Sequence, residues 1–295
     1  MGVKAYFISD LHLGSQDEPN CLLAIHFLKS FKKSTQISHL FLLGDIFDLW
    51  VADHKYFIKK FEPLIEELKR LHKLGVEIHY FEGNHDLYLE HYFKTQLGFY
   101  VHSGPQFFNL NVIGSKNKNI DIDAEAYESA VAYEDEVTFG KTDIGSAPFN
   151  STVGVTVRVE HGDQMDPSDK GYMFLRWFLR TPVMKWIALH LPSWAVVKLG
   201  ESMSHASRKY TSEVKTISEN SAKNVIDQHA ELVWRDKPYD IIISGHVHVI
   251  EDSRFTPFGE DRDVRVVNLG TWLTHPCAFL ISDDFTGFIE LQKKF

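Results

Sequence analysis

Five short apolar or alternating runs, Ala5–Ser9, His39–Leu43, Glu77–Glu82, Val153–Glu160 and Tyr239–Ser244, each lead straight into a cluster of Asp, Asn and His. In chain order the clusters are Asp10-Leu11-His12, Gly44-Asp45-Ile46-Phe47-Asp48, Gly83-Asn84-His85-Asp86, His161-Gly162-Asp163 and Gly245-His246-Val247-His248. Runs of that length and pattern read as strands. Strand ends carrying such side chains can meet on one edge of a sheet, which is how an α/β protein builds a metal centre.

Helical patterns fill the gaps. Cys21–Phe31 carries Leu22, Leu23, Ile25, His26 and Phe27 on one apolar stripe. Phe57, Phe61, Leu64, Ile65, Leu68 and Leu71 recur at helical spacing, so Tyr56–Lys73 reads as one amphipathic helix ended by Gly75. Ser221–Val233 reads as a further helix, and Val264–Leu269, Ala278–Ser282 and Gly287–Leu291 as closing strands. The alternation of strand and helix indicates a layered α/β core.

The chain has 295 residues, enough for one large α/β domain with an insertion. We read residues 1–295 as one domain, with 114–152 as an acidic surface insertion and 170–220 as a helical cap. The formal net charge of −9 argues against nucleic acid as a bulk partner. Two cysteines, Cys21 and Cys277, form no metal-binding pair, and a reducing cytoplasm is the simplest setting. No signal peptide, myristoylation motif or apolar run of about 18 residues is recognised.

The two insertions differ in character. Residues 114–152 hold Asp121, Asp123, Glu125, Glu128, Glu134, Asp135 and Glu136, without the spacing of a calcium-binding loop. A solvated loop is the expectation. Residues 170–215 hold eight basic and two acidic residues, a balance of +6 that leaves −15 for the rest of the chain. They also carry Trp177, Trp186 and Trp194, and Pro182 and Pro192 divide them into short helices. Two readings of this cap stand: a subdomain packing its own aromatics, or an apolar chamber or interfacial face with a cationic rim, suited to an amphiphile or an anionic membrane.

Carboxylate, amide oxygen and imidazole together suit Mn²⁺, Fe²⁺ or Zn²⁺. Asp10 and His12 are two apart and would share a face of a strict strand, as would His246 and His248. Asp45 can bridge two ions. Two cations roughly 3.5–4 Å apart would polarise a phosphoryl oxygen and activate a shared water. No P-loop, nucleophile elbow or dinucleotide fingerprint competes. Any one motif is weak, since a lone His is usually packed or exposed and Asp48 or Asn84 alone could be a turn residue. The eleven histidines outside the motifs are assigned no role.

The ordered series D-x-H, G-D-x-x-D, G-N-H-[DE], a later His and G-H-x-H resembles the calcineurin-like metallophosphoesterase superfamily. The resemblance implies a two-sheet β-sandwich flanked by helices. It implies one metal on Asp10, His12, Asp45 and His248 and another on Asp45, Asn84, His161 and His246. His85 would then lie near the substrate phosphate, oriented by Asp48 or Asp86, with Asn84 also at the substrate.

A closer resemblance, to the UDP-2,3-diacylglucosamine pyrophosphohydrolase family of lipid A synthesis, rests on four stretches. They are Tyr6-Phe7-Ile8-Ser9-Asp10-Leu11-His12-Leu13, Gly44-Asp45-Ile46-Phe47-Asp48-Leu49-Trp50, His161-Gly162-Asp163 followed by Asp169, and Asn268-Leu269-Gly270-Thr271-Trp272. It implies cleavage of the diphosphate of a UDP-diacylated sugar to UMP and a diacylglucosamine 1-phosphate. It also implies Mn²⁺ as cofactor, a lipid-binding helical lid where the cap stands, and a cytoplasmic enzyme peripheral on the inner membrane through residues 170–215. Asp169, Arg208 and Lys209 are the candidate substrate contacts.

That family has Arg where this chain has His85, and lacks the acidic insertion. A sugar-phosphate leaving group is already acidic and is served by a fixed charge, whereas an alkoxide needs a general acid, which His supplies. A phosphodiesterase or phosphomonoesterase of another substrate is therefore the alternative. A non-catalytic scaffold of the same fold is a third reading, but no ligand position has been lost.

Overall fold

The structure is a computed structural model that describes residues 3–111, 137–141, 154–198, 200 and 219–293. Two sheets are stacked and covered by helices. The first contains β1 (Lys4–Ile8), β2 (His39–Leu42), β4 (Glu77–Phe81), β6 (Tyr100–His102), β8 (Val137–Lys141), β13 (Cys277–Ser282) and β14 (Thr286–Lys293). Its order is β6-β4-β2-β1-β13-β14-β8, with β1, β2, β4 and β6 parallel and the remaining pairs antiparallel. The second sheet, β11-β12-β10-β9-β7, joins β7 (Gln106–Leu110), β9 (Val155–Val159), β10 (Ile241–Ser244), β11 (Ile250–Phe255) and β12 (Val264–Leu269). There β9, β10 and β12 are parallel. A short ladder pairs β3 (Trp50–Val51) with β5 (Asp86–Leu87).

Strand alternation sorts the core into layers. In β1, Ala5 and Phe7 enter the layer between the sheets with Phe41, Val157, Ile243, Val267 and Phe279. Tyr6 and Ile8 face the other way, against α1 (Pro19–Ser30) and α3 (Glu62–Lys73), where Phe27, Leu64, Leu68 and Leu71 meet Leu40, Leu42, Ile78 and Tyr80. On the outer face of the second sheet, Ile226 and Ala230 of α6 (Glu219–Asp236) pack on Ile242, Val264 and Val266. The result is the expected two-sheet sandwich flanked by helices. Central strands are covered on both faces, so they read as continuous apolar runs.

Two expectations need correction, and one strand was not foreseen. Tyr56–Lys73 is two helices, α2 (Lys55–Lys60) and α3, which meet at Phe61 with φ −115° and ψ 22°. Pro63 stands in the first turn of α3, where its missing N–H costs nothing, and it prevents α2 from running through. The apolar period hid the break because Phe57 and Phe61 remain buried across it. Within the acidic insertion, Val137–Lys141 is an edge strand paired with β14, not a loop; the rest of 114–152 lies outside the described residues. The polar strand β11 has no apolar alternation to reveal it; it is held by its ladder to β12 and by a two-pronged pair, Arg265 to Asp252 at 2.7 and 2.6 Å.

The described part of the cap divides at its prolines as expected, into α4 (Lys170–Leu179), α5 (Pro182–His190) and a helical turn at residues 193–198. Among the described residues no helix is long and apolar enough to cross a membrane.

Phe7 and Phe41, both fully buried, stack at 4.4 Å with ring planes 4° apart between the sheets. Phe7→Ala is expected to lower stability by about 3–5 kcal/mol in chemical denaturation. Phe258→Ala, at a fully exposed ring, should change it by less than about 0.5 kcal/mol.

Candidate metal centre

The parallel strands of both sheets point their C-terminal ends at one edge. β1, β2 and β4 of the first sheet and β9 and β10 of the second each stop one to three residues before a candidate ligand. The loops after β1 and β2 stay laced together past the strand ends: Asp10 N donates to Gly44 O at 3.1 Å, His12 N to Asp45 O at 3.0 Å and Leu13 N to Ile46 O at 3.1 Å.

The way these side chains converge differs from the expected strand alternation. Asp10, His12, Asp45, His246 and His248 all have left-handed backbones, with φ of 54°, 47°, 52°, 67° and 62°. They are five of the eight non-glycine residues with positive φ among those described. Asp, Asn and His tolerate this region better than other residues, yet each instance costs about 1–3 kcal/mol and persists only where surroundings impose it. So Asp10/His12 and His246/His248 meet by successive left-handed turns beyond the strand, not by sharing a strand face.

Two glycines allow the loops to close in. A Cβ at Gly83 would lie 2.1 Å from Asp45 Oδ1, and one at Gly245 would lie 1.9 Å from Ser9 Oγ. No larger residue fits either place.

Two groups of ligand atoms result, sharing Asp45. In the first, His12 Nε2 and His248 Nε2 are 3.0 Å apart, and Asp10 Oδ1 is 3.2 Å from His248 Nε2 and 3.8 Å from His12 Nε2. In the second, Asn84 Oδ1 is 3.2 Å from His161 Nε2 and 3.0 Å from His246 Nδ1, and Asp45 Oδ2 is 3.6 Å from His161 Nε2. Asp45 can share an ion with His161 and His246 on one side and with His12 and His85 on the other.

Ligands about 2.0–2.2 Å from a common small cation stand roughly 3–3.5 Å apart, so most of these separations fit a pair of divalent ions. One buried atom reinforces the fit. Asp10 Oδ2 accepts from His246 N at 2.9 Å and from Ser9 Oγ, but Oδ1 has no hydrogen-bond donor and faces the two imidazoles. His161 presents Nε2 because its Nδ1 donates to Leu43 O at 2.7 Å.

Electrostatics point the same way. Burial alone would raise the Asp45 carboxyl, but His161, His85, His12 and His246 around it hold it below the carboxylate range. Against the effect of burial, Asp45 and Asp10 raise His161 to about 9. Burial, with His161 alongside, lowers His246 to about 4. The buried negative charge here attracts whatever cation is available.

Other predicted residues take different places. His85 is oriented by Asp48, through the main chain: His85 Nδ1 donates to Asp48 O at 2.9 Å. Asp86, expected as the alternative orienting group, binds elsewhere. Its fully buried carboxylate accepts from Asp45 N, Ile46 N, Gly83 N and Tyr80 Oη at 3.0, 2.9, 2.8 and 2.7 Å, tying the second motif to the third. Asp169 caps α4, accepting from Tyr172 N at 3.0 Å. Arg208 and Lys209 lie outside the described residues.

Sequence reasoning missed the anchor of the cap. Buried Asp163 accepts from Arg176 Nε at 2.6 Å and Tyr172 Oη at 3.2 Å, with Arg180 at 3.7 Å. Arg180 also donates to Gly83 O at 3.3 Å. Asp163 stood in a quoted motif without a job, and the excess of basic residues in the cap was the available signal. Likewise Asn268 Nδ2 donates to Gly245 O at 2.7 Å, and Thr271 Oγ1 and Trp272 N donate to Asp10 O at 3.0 and 3.1 Å. These bonds hold two motif loops in place.

A family model for calcineurin-like phosphoesterases matches residues 3–250. The UDP-2,3-diacylglucosamine hydrolase of Tolumonas auensis is 24% identical over 278 residues, covering 94% of this chain and 92% of the relative. The UDP-2,3-diacylglucosamine hydrolase of Histophilus somni strain 2336 is 24% identical over 246 residues, covering 83% and 84%. Among solved structures, a dimetal phosphatase from Danio rerio aligns over 99% of this chain and 98% of its own, at 10% identity and a TM-score of 0.40.

A cation must displace the proton that Asp45 and Asp10 hold on His161. Because that pKa is raised to about 9, apparent Mn²⁺ affinity should fall as pH drops below it, by up to about tenfold per unit. Calorimetric titration between pH 9 and 7 checks this through the affinity and the protons released. Asp86→Asn should remove about 2–3 kcal/mol of stability, because an amide N–H₂ would face N–H donors. It should also weaken Mn²⁺ binding about 10–100-fold, read by denaturation and titration of the same sample.

Proposed function

The chain belongs to the calcineurin-like phosphoesterase family, and from that membership we propose that it hydrolyses the diphosphate of a lipid-linked nucleotide sugar, UDP-2,3-diacylglucosamine, to UMP and 2,3-diacylglucosamine 1-phosphate. The observation that carries this reading is the cap. Phe174, Trp177, Trp186 and Trp194 are 64%, 62%, 61% and 73% exposed, an unusual amount of bare aromatic surface beside a polar centre. A groove of about 560 Å³ is lined by Met173, Arg176, Trp177, Arg180, Thr181 and Pro182. Both arginines reach Asp163, next but one to His161. A largely apolar groove with two guanidinium groups in its lining suits an acyl chain carrying a phosphate. Two relatives that bear the name of this activity support the same reading.

In this proposal Asp10, His12, Asp45 and His248 hold one divalent cation and Asp45, Asn84, His161 and His246 the other, with Mn²⁺ as the cofactor. Bound there, the ions supply Lewis acidity toward a phosphoryl oxygen and lower the pKa of water. The cap orients the acyl chains, and Arg176 and Arg180 steer the phosphates. His85, with Nδ1 committed to Asp48 O, turns Nε2 to the substrate. A proton on that nitrogen would let it stabilise charge on the leaving oxygen, as the Arg of the resembled family would. Asn84, Asp169, Arg208 and Lys209 are proposed substrate contacts. The exposed aromatics and basic residues of 170–215 would bring the cap to the inner face of a membrane, where the substrate resides.

A second reading, a phosphodiesterase or phosphomonoesterase of another substrate, rests on His85, since a protonated His can also act as general acid for an alkoxide.

Acyl dependence separates the two. Burying only four methylenes of the acyl chains gives about 3 kcal/mol, so kcat/KM for the acylated substrate should exceed that for its deacylated form by about 100-fold or more. Trp177→Ala should lower the first about tenfold and leave the second unchanged. Equal kcat/KM for both substrates in the parent protein would establish the second reading instead.

A further inference from the structure

The opposite end of the first sheet carries a second set of ligand side chains. His39 opens β2 and Glu77 opens β4, and the two are in register. His79 follows Glu77 by two residues and so lies on the same face. His39 Nε2 is 3.9 Å and His79 Nε2 is 3.8 Å from Glu77 Oε2, and the three atoms lie within 4.8 Å of one another. His39 opens β2 and Asp45 lies three residues beyond the strand's other end at Leu42, so this group stands at the opposite end of the strand from the dinuclear centre.

Both imidazoles are set up with Nε2 toward the group. His39 Nδ1 is 2.9 Å from Ser38 Oγ, whose hydroxyl in turn donates to Lys4 O at 3.1 Å. With that hydrogen committed, Ser38 Oγ accepts from His39 Nδ1–H, and Nε2 is left with its lone pair. His79 Nδ1 is 3.1 Å from His102 Nε2. A second partner at Nδ1 that fixes the ring and frees Nε2 is the usual arrangement behind a metal-ligating histidine. His79 is 6% exposed, fixed between Phe41 and Tyr100 with ring centroids at 4.8 Å, and Phe108 meets it edge-on. Its Nε2 is buried with no hydrogen-bond partner.

A buried ring nitrogen without a partner is costly and calls for an explanation. Protonation does not provide it: burial, with His102 and His39 nearby, pushes His79 down to about 3, and burial lowers His39 as well. Neutral imidazoles beside a carboxylate are competent metal ligands.

We propose that His39 Nε2, His79 Nε2 and Glu77 Oε2 form an additional, mononuclear site for a zinc-like divalent cation, independent of the dinuclear centre. Two imidazoles and a carboxylate are a three-ligand set for tetrahedral zinc, with water in the fourth place. The Glu77 side chain is 54% exposed and free to turn, so it supplies the sub-ångström closure from 3.8–3.9 Å to the roughly 3–3.5 Å expected of ligands on one ion. A cation there would pin the entry of β2 to that of β4 and satisfy the orphaned nitrogen of His79.

The test is the zinc content of the full chain after equilibrium dialysis, measured by atomic absorption, for the parent, Glu77→Gln and His39→Gln. Both positions are at least partly exposed, and circular dichroism checks that each variant remains folded. Each variant is expected to hold one zinc fewer per chain than the parent, with affinity at that site at least ~10-fold weaker in competition with a chromophoric chelator. An anomalous-scattering peak at the zinc edge between the His39 and His79 rings of a zinc-soaked crystal of the parent, alongside that loss in the variants, would support the site. Equal zinc content in the parent and both folded variants, or no peak at that place, would overturn it.

Discussion

A carboxylate that cannot reach water must find its compensation inside the protein, and at the centre of this molecule three of them do so within one cluster of loops. Asp10, Asp45 and Asp86 are all at most 1% exposed. Asp86 is compensated entirely by hydrogen bonds, four donors filling the four acceptor positions of an ionised carboxylate. Burial and the nearby Asp45 raise its pKa to about 6, which leaves it ionised at neutral pH. Asp10 and Asp45 cannot be compensated the same way without losing the atoms that face the cavity. Their remaining oxygens look at imidazoles, which are either neutral or charged at the expense of a proton. The cluster therefore retains a demand for positive charge, and the left-handed turns at Asp10, His12, Asp45, His246 and His248 become tolerable only if something of comparable energy fixes them. Cations satisfy both needs at once.

That arrangement explains what could and could not be read from the chain. The strands that deliver the ligands were legible to within a couple of residues, because doubly covered strands are continuous apolar runs and the polar motif begins where burial of the backbone ends. The candidate ligands were legible because Asp, Asn and His are rare immediately after such runs. How they converge was not. Alternation suggested that Asp10 and His12 share a strand face, but the backbone leaves the β region at Asp10, and the modest left-handed preference of Asp and His announces such a turn far less plainly than Gly does. Asp86 was misassigned for a related reason: in sequence it adjoins His85, while in space its carboxylate points back to three main-chain N–H groups. Pro63 was present in plain view, yet the apolar period across it is genuine, since Phe57 and Phe61 stay buried on either side of the break.

The cap is the place where local composition and tertiary position meet. Its aromatics are mostly not buried by the rest of the chain, so they do not pay for its docking by area. Docking comes from polar contacts: Arg176, Arg180 and Tyr172 on Asp163, His54 to Ala188 O at 2.7 Å, and Tyr88 Oη to Leu179 O. It also comes from a few apolar residues, Leu179, Ala188, Leu189, Leu191 and buried Val196, that reach the main core. A subdomain held in this way keeps its apolar face available, which is what a binding surface for an amphiphile requires.

The same contacts make the cap and the centre one mechanical unit. Asp163 is two residues from His161, and Gly162 between them has φ +103°, a conformation reserved for glycine; a Cβ there would lie 3.0 Å from Gly245 O. Gly245 in turn precedes His246, whose N–H is bonded to Asp10. Force applied to the cap at Arg176 thus reaches His161 through Asp163, and at Arg180 it reaches the Asn84 loop through Gly83 O. The candidate ligands His161 and Asn84 belong to the same half of the centre. An occupant that draws the two arginines toward its own phosphates must compete with Asp163 and Gly83 O for them, so its binding would be felt first by the half that those two loops supply. The half formed by Asp10, His12 and His248, held by Thr271, Trp272 and Ser9, is reached from the described part of the cap one step later, through Gly245 and the bond from His246 N to Asp10, and would respond after it.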